Sequence, residues 1–335
     1  MKHKVLITSK SFARMSQAPL RILESNECEI TRNPYGRLLD DATLSSLIQG
    51  CDALIVGDDE VGKETFGKAD KLKVIAKHGV GIDNINVKLA SERGITVTRA
   101  LGSTTESVAD LTFALMLALA RNIVDAVNST KQGMWEPVKY IGVEIHGKTL
   151  GIVGLGAIGK AVARRAKGFD MEILYYDISR DRDYEKRFGV KFADLDKLLR
   201  NSDIVTIHVP LTEATTHLIG ARELKKMKTR AFLINTSRGR VVDEDALYRV
   251  VKNGSIAGAA LDVYSKEPPG PDFRLLNLRN VVSTPHIGGY SEEANIAMGT
   301  ITAEEVVKVL KGKKPEYALT KPGNSEIVVG HHSPT

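Results

Sequence analysis

The sequence predicts an α/β protein made of two doubly wound parallel-sheet domains. Three observations carry that prediction. Short apolar runs of strand type alternate with helix-like segments along nearly the whole chain. A glycine-rich turn between an apolar run and a helix stands near the middle of the chain, behind a first series of such alternations. At 335 residues, 42% hydrophobic and 26% charged, the chain is long enough for two cores and has the balance of an ordinary water-soluble globular protein.

The first series reads in order as strands at residues 5–8, 53–56, 73–76 and 95–98. Helix-like segments at residues 20–24, 44–49 and 87–93 lie between them, the last stopped by Gly94. No glycine fingerprint occurs in this half. Ser103-Thr-Thr-Glu106 has the spacing of a capping box and predicts a long apolar helix to about Val127. The apolar run at residues 108–120 is too short to span a bilayer, contains Asp110 and ends at Arg121, so no membrane partner is expected. Residues 131–147, with Trp135, Pro137 and no period, read as an extended arm.

The second series opens at Lys148. Residues 149–153 suit a buried parallel strand, and Gly154-Leu-Gly156-Ala157-Ile158-Gly159 is a glycine turn opening a helix. Residues 171–176 form a second strand that ends on Asp177. Gly154 allows the tight turn, Gly156 lets the backbone approach a pyrophosphate, and Gly159 lets helix and strand pack closely. The helix start offers free N–H groups and a positive dipole to that pyrophosphate. Asp177 stands where a carboxylate accepts hydrogen bonds from ribose hydroxyls. The cofactor expected is therefore a dinucleotide, NAD, because the charge of Asp177 repels a 2′-phosphate; nearby Arg180 is the feature that speaks for NADP. Later strands fall at residues 204–208, 231–235, 256–261 and 281–283, with helices at 195–200, 223–226 and 244–252 and a last helix at 291–311. If that helix returns to the first series, the domains are residues 1–101 with 291–335, and residues 102–290 as the nucleotide domain. The polar tail from Lys321 is expected to fray.

The net charge of +6 comes without a basic tract interleaved with aromatics, so nucleic acid is not an expected partner; a mild positive excess suits an anionic cofactor and substrate. Cys28 and Cys51 have no metal or CxxC spacing, which predicts reduced thiols and no metal site. The first residues do not read as a signal peptide, and a cytosolic protein is expected.

Ligands of open parallel sheets bind beyond the carboxyl ends of the strands. Arg238, Glu267 and His286 follow the strands at 231–235, 256–261 and 281–283. Hydride transfer at a carbon–oxygen centre needs a proton moved at the oxygen, and His suits that near neutral pH. A carboxylate on its other ring nitrogen fixes the tautomer, and an arginine fork binds a planar carboxylate. Taken singly, an arginine after a strand usually makes a surface ion pair, a glutamate before proline a solvated turn, and a loop histidine a structural contact. Their shared order behind a dinucleotide turn raises all three above those readings.

Over residues 70–312 the chain resembles the D-isomer-specific 2-hydroxyacid dehydrogenases, through GVGIDNIN, GKTLGIVGLGAIG, INTSRGRVVDEDAL, GAALDVYSKEPP and STPHIGG. The resemblance implies a flavodoxin-like substrate domain, a Rossmann NAD-binding domain, and a homodimer in which the Trp135 arm crosses to its partner. It implies that Arg238 binds the substrate carboxylate, His286 is the general acid/base and Glu267 supports it, with backbone amides at Val80 and Gly81 on the same carboxylate. It further implies NAD contacts at Ala157, Ile158, His208, Val209, Pro210, Thr236, Asp262 and Gly288. Within the family, the wording at residues 120–123, 131–136 and 147–152 is similar to 3-phosphoglycerate dehydrogenases of serine biosynthesis, with Lys77 and Arg121 at positions that are basic there and face the phosphate. The longer enzymes' C-terminal regulatory domain is not expected. Arg99-Ala-Leu101 departs from the Asn-x-Pro frequent in relatives, which bears on the shape of the substrate pocket. Rival readings are a glyoxylate or hydroxypyruvate reductase and, from another class, an NAD-sensing binding protein.

Overall fold

The computed structural model describes residues 2–320; the tail expected to fray lies outside them. In chain order the elements begin β1 (His3–Ile7), α1 (Ala18–Glu24), β2 (Cys28–Arg32), α2 (Asp41–Leu47), β3 (Ala53–Val56), α3 (Lys63–Lys68), β4 (Val74–Lys77), α4 (Val87–Glu92), β5 (Thr96–Arg99), α5 (Thr105–Ala120) and α6 (Ile123–Lys131). They continue with β6 (Thr149–Val153), α7 (Ala157–Lys167), β7 (Glu172–Tyr176), α8 (Arg182–Phe188), β8 (Lys191–Phe192), α9 (Leu195–Asn201), β9 (Ile204–Ile207), α10 (Ala221–Leu224), β10 (Phe232–Asn235), α11 (Glu244–Lys252), β11 (Gly258–Leu261), β12 (Val281–Ser283) and α12 (Glu292–Leu310). The described residues form two compact units, one of residues 2–104 and 289–320, the other Thr105–Gly288.

The first unit holds a parallel sheet in the order β2-β1-β3-β4-β5. Its inner strands β3 and β4 are buried throughout because both faces are covered, whereas the edge strand β2 is largely exposed. Leu6, Leu54, Ile75 and Val97 pack with Leu44 and Phe66 of α2 and α3. Val5, Ile55, Val74 and Ala76 pack with Leu23 of α1 and with Ala303 and Val306 of α12. The segment ending at Thr320 runs antiparallel along β5, with Leu319 N–H donating to Val97 C=O at 2.8 Å.

The second unit holds a parallel sheet in the order β12-β11-β10-β9-β6-β7-β8. The strand order reverses at β6, between β9 and β7, the position at which open α/β sheets bind ligands. Leu150, Ile152, Ile204 and Ile234 face Phe113 and Met116 of α5 and Val162 of α7. Val153, Val205, Ile207 and Leu233 face Leu198 of α9 and Leu247 of α11. No single helix among the described residues is long and apolar enough to cross a membrane.

Two local expectations are corrected. The helix after Ser103 is not continuous to Val127. It stops at Ala120, Asn122 turns left-handed (φ +52°), and α6 leaves at 66°. The Ala120 carbonyl accepts from Val143 N–H at 2.7 Å, and Gly142 lies so close that a Cβ there would meet that oxygen at 2.4 Å, so the returning arm occupies the helix end. The capping box does not form either. Ser103 Oγ donates to Ala100 C=O at 2.7 Å, and Glu106 pairs instead with Arg164 and Arg165. Elements α3 and α8 escaped the pattern because each buries only one or two side chains; α8 is fixed by its Asp181 N-cap and by Gly189 (φ +64°) at its end.

Candidate active site

The glycine turn follows directly from its backbone. Gly154 has φ +98°, and a Cβ there would lie 2.8 Å from the His208 carbonyl oxygen. A Cβ at Gly159 would lie 2.1 Å from the Gly154 carbonyl oxygen, so helix α7 sits against the turn at a distance only glycine permits. Gly156 is the opposite case: nothing lies within 4 Å of a Cβ built there. That open space stands before the first turn of α7, where Ala157 is exposed, Ile158 is half-buried and no side chain caps the helix. Uncapped N–H groups facing open space fit a pyrophosphate. Asp177 fixes the turn as well as ending β7, for its carboxylate accepts from Leu155 N–H at 2.7 Å and Ser179 N–H at 3.0 Å. Arg180 is drawn elsewhere: its Nε and Nη2 each reach Glu185 at 2.8 Å. That fork and the Tyr175 hydroxyl hold the Glu185 carboxyl down at about 2.

Beyond β9, His208 bonds Thr206 Oγ1 through Nε2 at 2.9 Å, and its enclosed Nδ1 has no partner among the described residues. Burial pushes this imidazole down to about 3, so it is neutral in the working range. Val209 borders the Gly154 turn with Pro210 next to it, and Thr236, beyond β10, bonds Thr112 at 3.0 Å.

Three loops at the carboxyl ends of β10, β11 and β12 are tied together. Asn235 closes the first: its amide donates to Arg238 C=O at 2.9 Å and its oxygen accepts from Ser237. Gly239 then touches the second loop so closely that a Cβ would overlap the Tyr264 carbonyl carbon at 1.9 Å. Glu267 is held by Tyr264 N–H on Oε1 at 2.9 Å, and its Oε2 meets His286 Nδ1 at 2.6 Å. The third loop is clamped by Asp262, which accepts from Thr284 Oγ1 at 2.6 Å, Ile287 N–H at 2.8 Å and Gly288 N–H at 2.8 Å. Burial raises the Asp262 carboxyl above its ordinary range despite those bonds. His286 between these anchors has φ +53°, a conformation that costs a non-glycine residue energy and persists because the clamp imposes it. With Nδ1 on Glu267, Nε2 is the ring atom through which a proton can be exchanged with a bound molecule. The arrangement can hold a proton, orient it and bind an anion with Arg238.

In the first unit, the end of β4 carries Lys77, Val80 and Gly81. Lys77 is only 4% exposed, and its ammonium donates to Gly57 C=O at 2.6 Å, Asp58 at 2.9 Å and Asn84 at 3.1 Å. All three protons thus have partners inside the unit. The N–H groups of Val80 and Gly81 have no acceptor among the described residues and form two adjacent donors for an anion. Arg121 lies exposed after α5 in the other unit. Sequence reasoning singled out Asp262 as a cofactor contact and missed its grip on the His286 turn. It also missed Asn235, Tyr264 and Glu185, whose only signal was their closeness to the marked residues.

The sequence profile of the D-isomer specific 2-hydroxyacid dehydrogenase, NAD binding domain, matches residues 113–288, over half of the chain. The chain belongs to the D-isomer-specific 2-hydroxyacid dehydrogenase family. This dehydrogenase is 49% identical over 286 residues to a glyoxylate reductase of Korarchaeum cryptofilum, covering 84% of this chain and 85% of that one. It is 41% identical over 334 residues to a D-3-phosphoglycerate dehydrogenase of Methanocaldococcus jannaschii, covering 99% of this chain and 62% of that one. Among solved structures it superposes on a D-lactate dehydrogenase of Aquifex aeolicus, complexed with NAD and lactic acid, with a TM-score of 0.84 and 29% identity over 95% of this chain and 100% of that one. The cofactor of the dehydrogenase is NAD, and the open, uncapped turn before α7 fits it.

Proposed function

We propose that the dehydrogenase interconverts 3-phosphoglycerate and 3-phosphohydroxypyruvate, with Arg238, Glu267 and His286 as the reacting set. The 2.6 Å contact between His286 Nδ1 and Glu267 Oε2, behind a turn that fits NAD, carries the reading of the reaction. In the oxidative direction His286 Nε2 takes the proton of the C2 hydroxyl. Glu267 holds the tautomer and stabilises the imidazolium that results. Arg238 offers a fork to the substrate carboxylate, and the turn at Val80 and Gly81 offers two adjacent backbone donors to an anion. NAD, when bound, supplies the acceptor for the C2 hydride. Support for the phosphorylated substrate is the likeness to a phosphoglycerate dehydrogenase along 99% of the chain. The same reading places the enzyme in the cytosol as a homodimer. Its support is two buried free cysteines and an arm whose Trp135 is 84% exposed.

A second reading, a glyoxylate or hydroxypyruvate reductase, is favoured by two observations: the 49% identity to a glyoxylate reductase over 84% of the chain, and the Lys77 ammonium, a residue expected to face the phosphate, which already has three partners. Steady-state kcat/KM on 3-phosphohydroxypyruvate, hydroxypyruvate, glyoxylate and pyruvate with NADH separates the two. The phosphorylated acid is expected to give the highest value, and preference for an unphosphorylated one would overturn the assignment. No turnover of any acid, with NADH still bound, would turn the reading toward an NAD-sensing protein.

A further inference from the structure

Arg99 is the departure in sequence that the reaction above leaves unused. It ends β5 beside β4, in register with Lys77. Register partners on parallel strands project to the same face, so two cations stand side by side at one sheet edge. Their surroundings differ. Lys77 is matched by Asp58 and two carbonyl oxygens. The Arg99 guanidinium is half-buried, and among the described residues it has neither an ion pair nor a side-chain hydrogen bond. Arg165, Arg180, Arg274 and Arg279, by contrast, each hold a carboxylate. Burial works against the charge of Arg99, and among the described residues no carboxylate pairs with it.

The position of Arg99 relates it to substrate. The next residue, Ala100, donates its N–H to Gly79 C=O at 2.9 Å. That bond fastens the end of β5 to the turn whose Val80 and Gly81 amides have no acceptor among the described residues. Adjacent strands lie about 5 Å apart, which is the order of the span between the two acidic groups of a three- or four-carbon acid. We infer that Arg99 receives a second anionic group of the substrate, a phosphate or a carboxylate, and so selects dianionic 2-keto and 2-hydroxy acids over monoanionic ones. This rests on the dehydrogenase reading above and names the residue that sets its substrate class.

The test compares the wild type with Arg99→Asn and Arg99→Lys, using NADH with 3-phosphohydroxypyruvate, oxaloacetate, hydroxypyruvate and glyoxylate. Loss of a charge-assisted fork is expected to lower the ratio of kcat/KM for a dianionic acid over that for glyoxylate by about tenfold to a hundredfold, mainly through KM. Arg99→Lys should recover part of the ratio, because it keeps the charge without the fork. A drop confined to 3-phosphohydroxypyruvate identifies the group as phosphate, and a drop confined to oxaloacetate identifies it as carboxylate; either supports the inference. Equal loss on all four acids would reveal a structural role and overturn it. A wild type that reduces glyoxylate but neither dianionic acid would overturn it too, while leaving the dehydrogenase reading intact. Turnover of none of the four would overturn both.

Discussion

His286 owes its chemistry to three neighbours that do different things. Glu267 binds its Nδ1, Asp262 clamps the turn on either side of it, and Tyr264 joins the two loops through its hydroxyl on Thr284 C=O at 2.8 Å. Glu267→Gln keeps the shape but replaces a carboxylate with a neutral amide, which stabilises an imidazolium less. The pH–rate profile for alcohol oxidation is then expected to move to lower pH with kcat reduced; an unmoved profile would remove Glu267 from the proton-transfer pair. A second histidine tests the energetics of burial. His78 bonds Ser9 and Ser11 through Nδ1, its Nε2 has no partner among the described residues, and burial pushes it down to about 4. Because its folded value lies below the ordinary value of about 6.5, its contribution is present above that pH and lost as pH falls toward 4. In that window the loss is about 1.4 kcal/mol per pH unit for one such group. His78→Gln should flatten the decline of Tm between neutral and acidic pH; an unchanged slope would show that His78 is not a source of acid sensitivity. Arg238, Glu267 and His286 were legible because each follows a strand of the second sheet. The clamp by Asp262 was not, since a carboxylate accepting three donors depends on a loop closing over 26 residues of separation. For the same reason the partners of Lys77 could not be read from its position.

Among the elements, the strand–turn–helix from β6 to α7 separates two roles of glycine. Gly159 has the Gly154 carbonyl 2.1 Å from a would-be Cβ, whereas Gly156 faces open space. Gly159→Ala should therefore destabilise the fold by about 1–3 kcal/mol, as overpacking does. Gly156→Val should leave Tm nearly unchanged and raise the KM for NAD, because its side chain would project where the pyrophosphate approaches. Thermal melts and NAD titrations of the two variants check this, and the reverse pattern would contradict the assignment of the turn. This element was fully legible, because strand period, glycine spacing and terminal acid coincide within it. The break at Asn122 was not, since it depends on Gly142 and Val143 arriving from the arm. Helix α8, with a single buried side chain, gives no apolar period for the eye to follow.

At the scale of the molecule, the inner strands of both parallel sheets were visible as apolar runs alternating with helices, because strands covered on both faces are apolar throughout, whereas the edge strands β2, whose Glu29, Thr31 and Arg32 are polar, and β8, only two residues long, gave no such run. The arm was visible as an aperiodic stretch, and its Trp135, Val138 and Ile141 are each more than three-quarters exposed. That exposure is the support for the proposed dimer through the arm. Trp135→Glu combined with Ile141→Glu is expected to convert a dimer into a monomer in sedimentation analysis, and a wild-type monomer would refute the dimer. The central claim is that His286 is the acid–base group of an NAD-dependent 2-hydroxyacid dehydrogenase, and His286→Asn tests it most directly. Removing a general acid–base group should lower kcat by about a hundredfold to ten-thousandfold. NADH affinity, followed by fluorescence on the same sample, should stay near the wild-type value. A variant that retains wild-type kcat would contradict the claim.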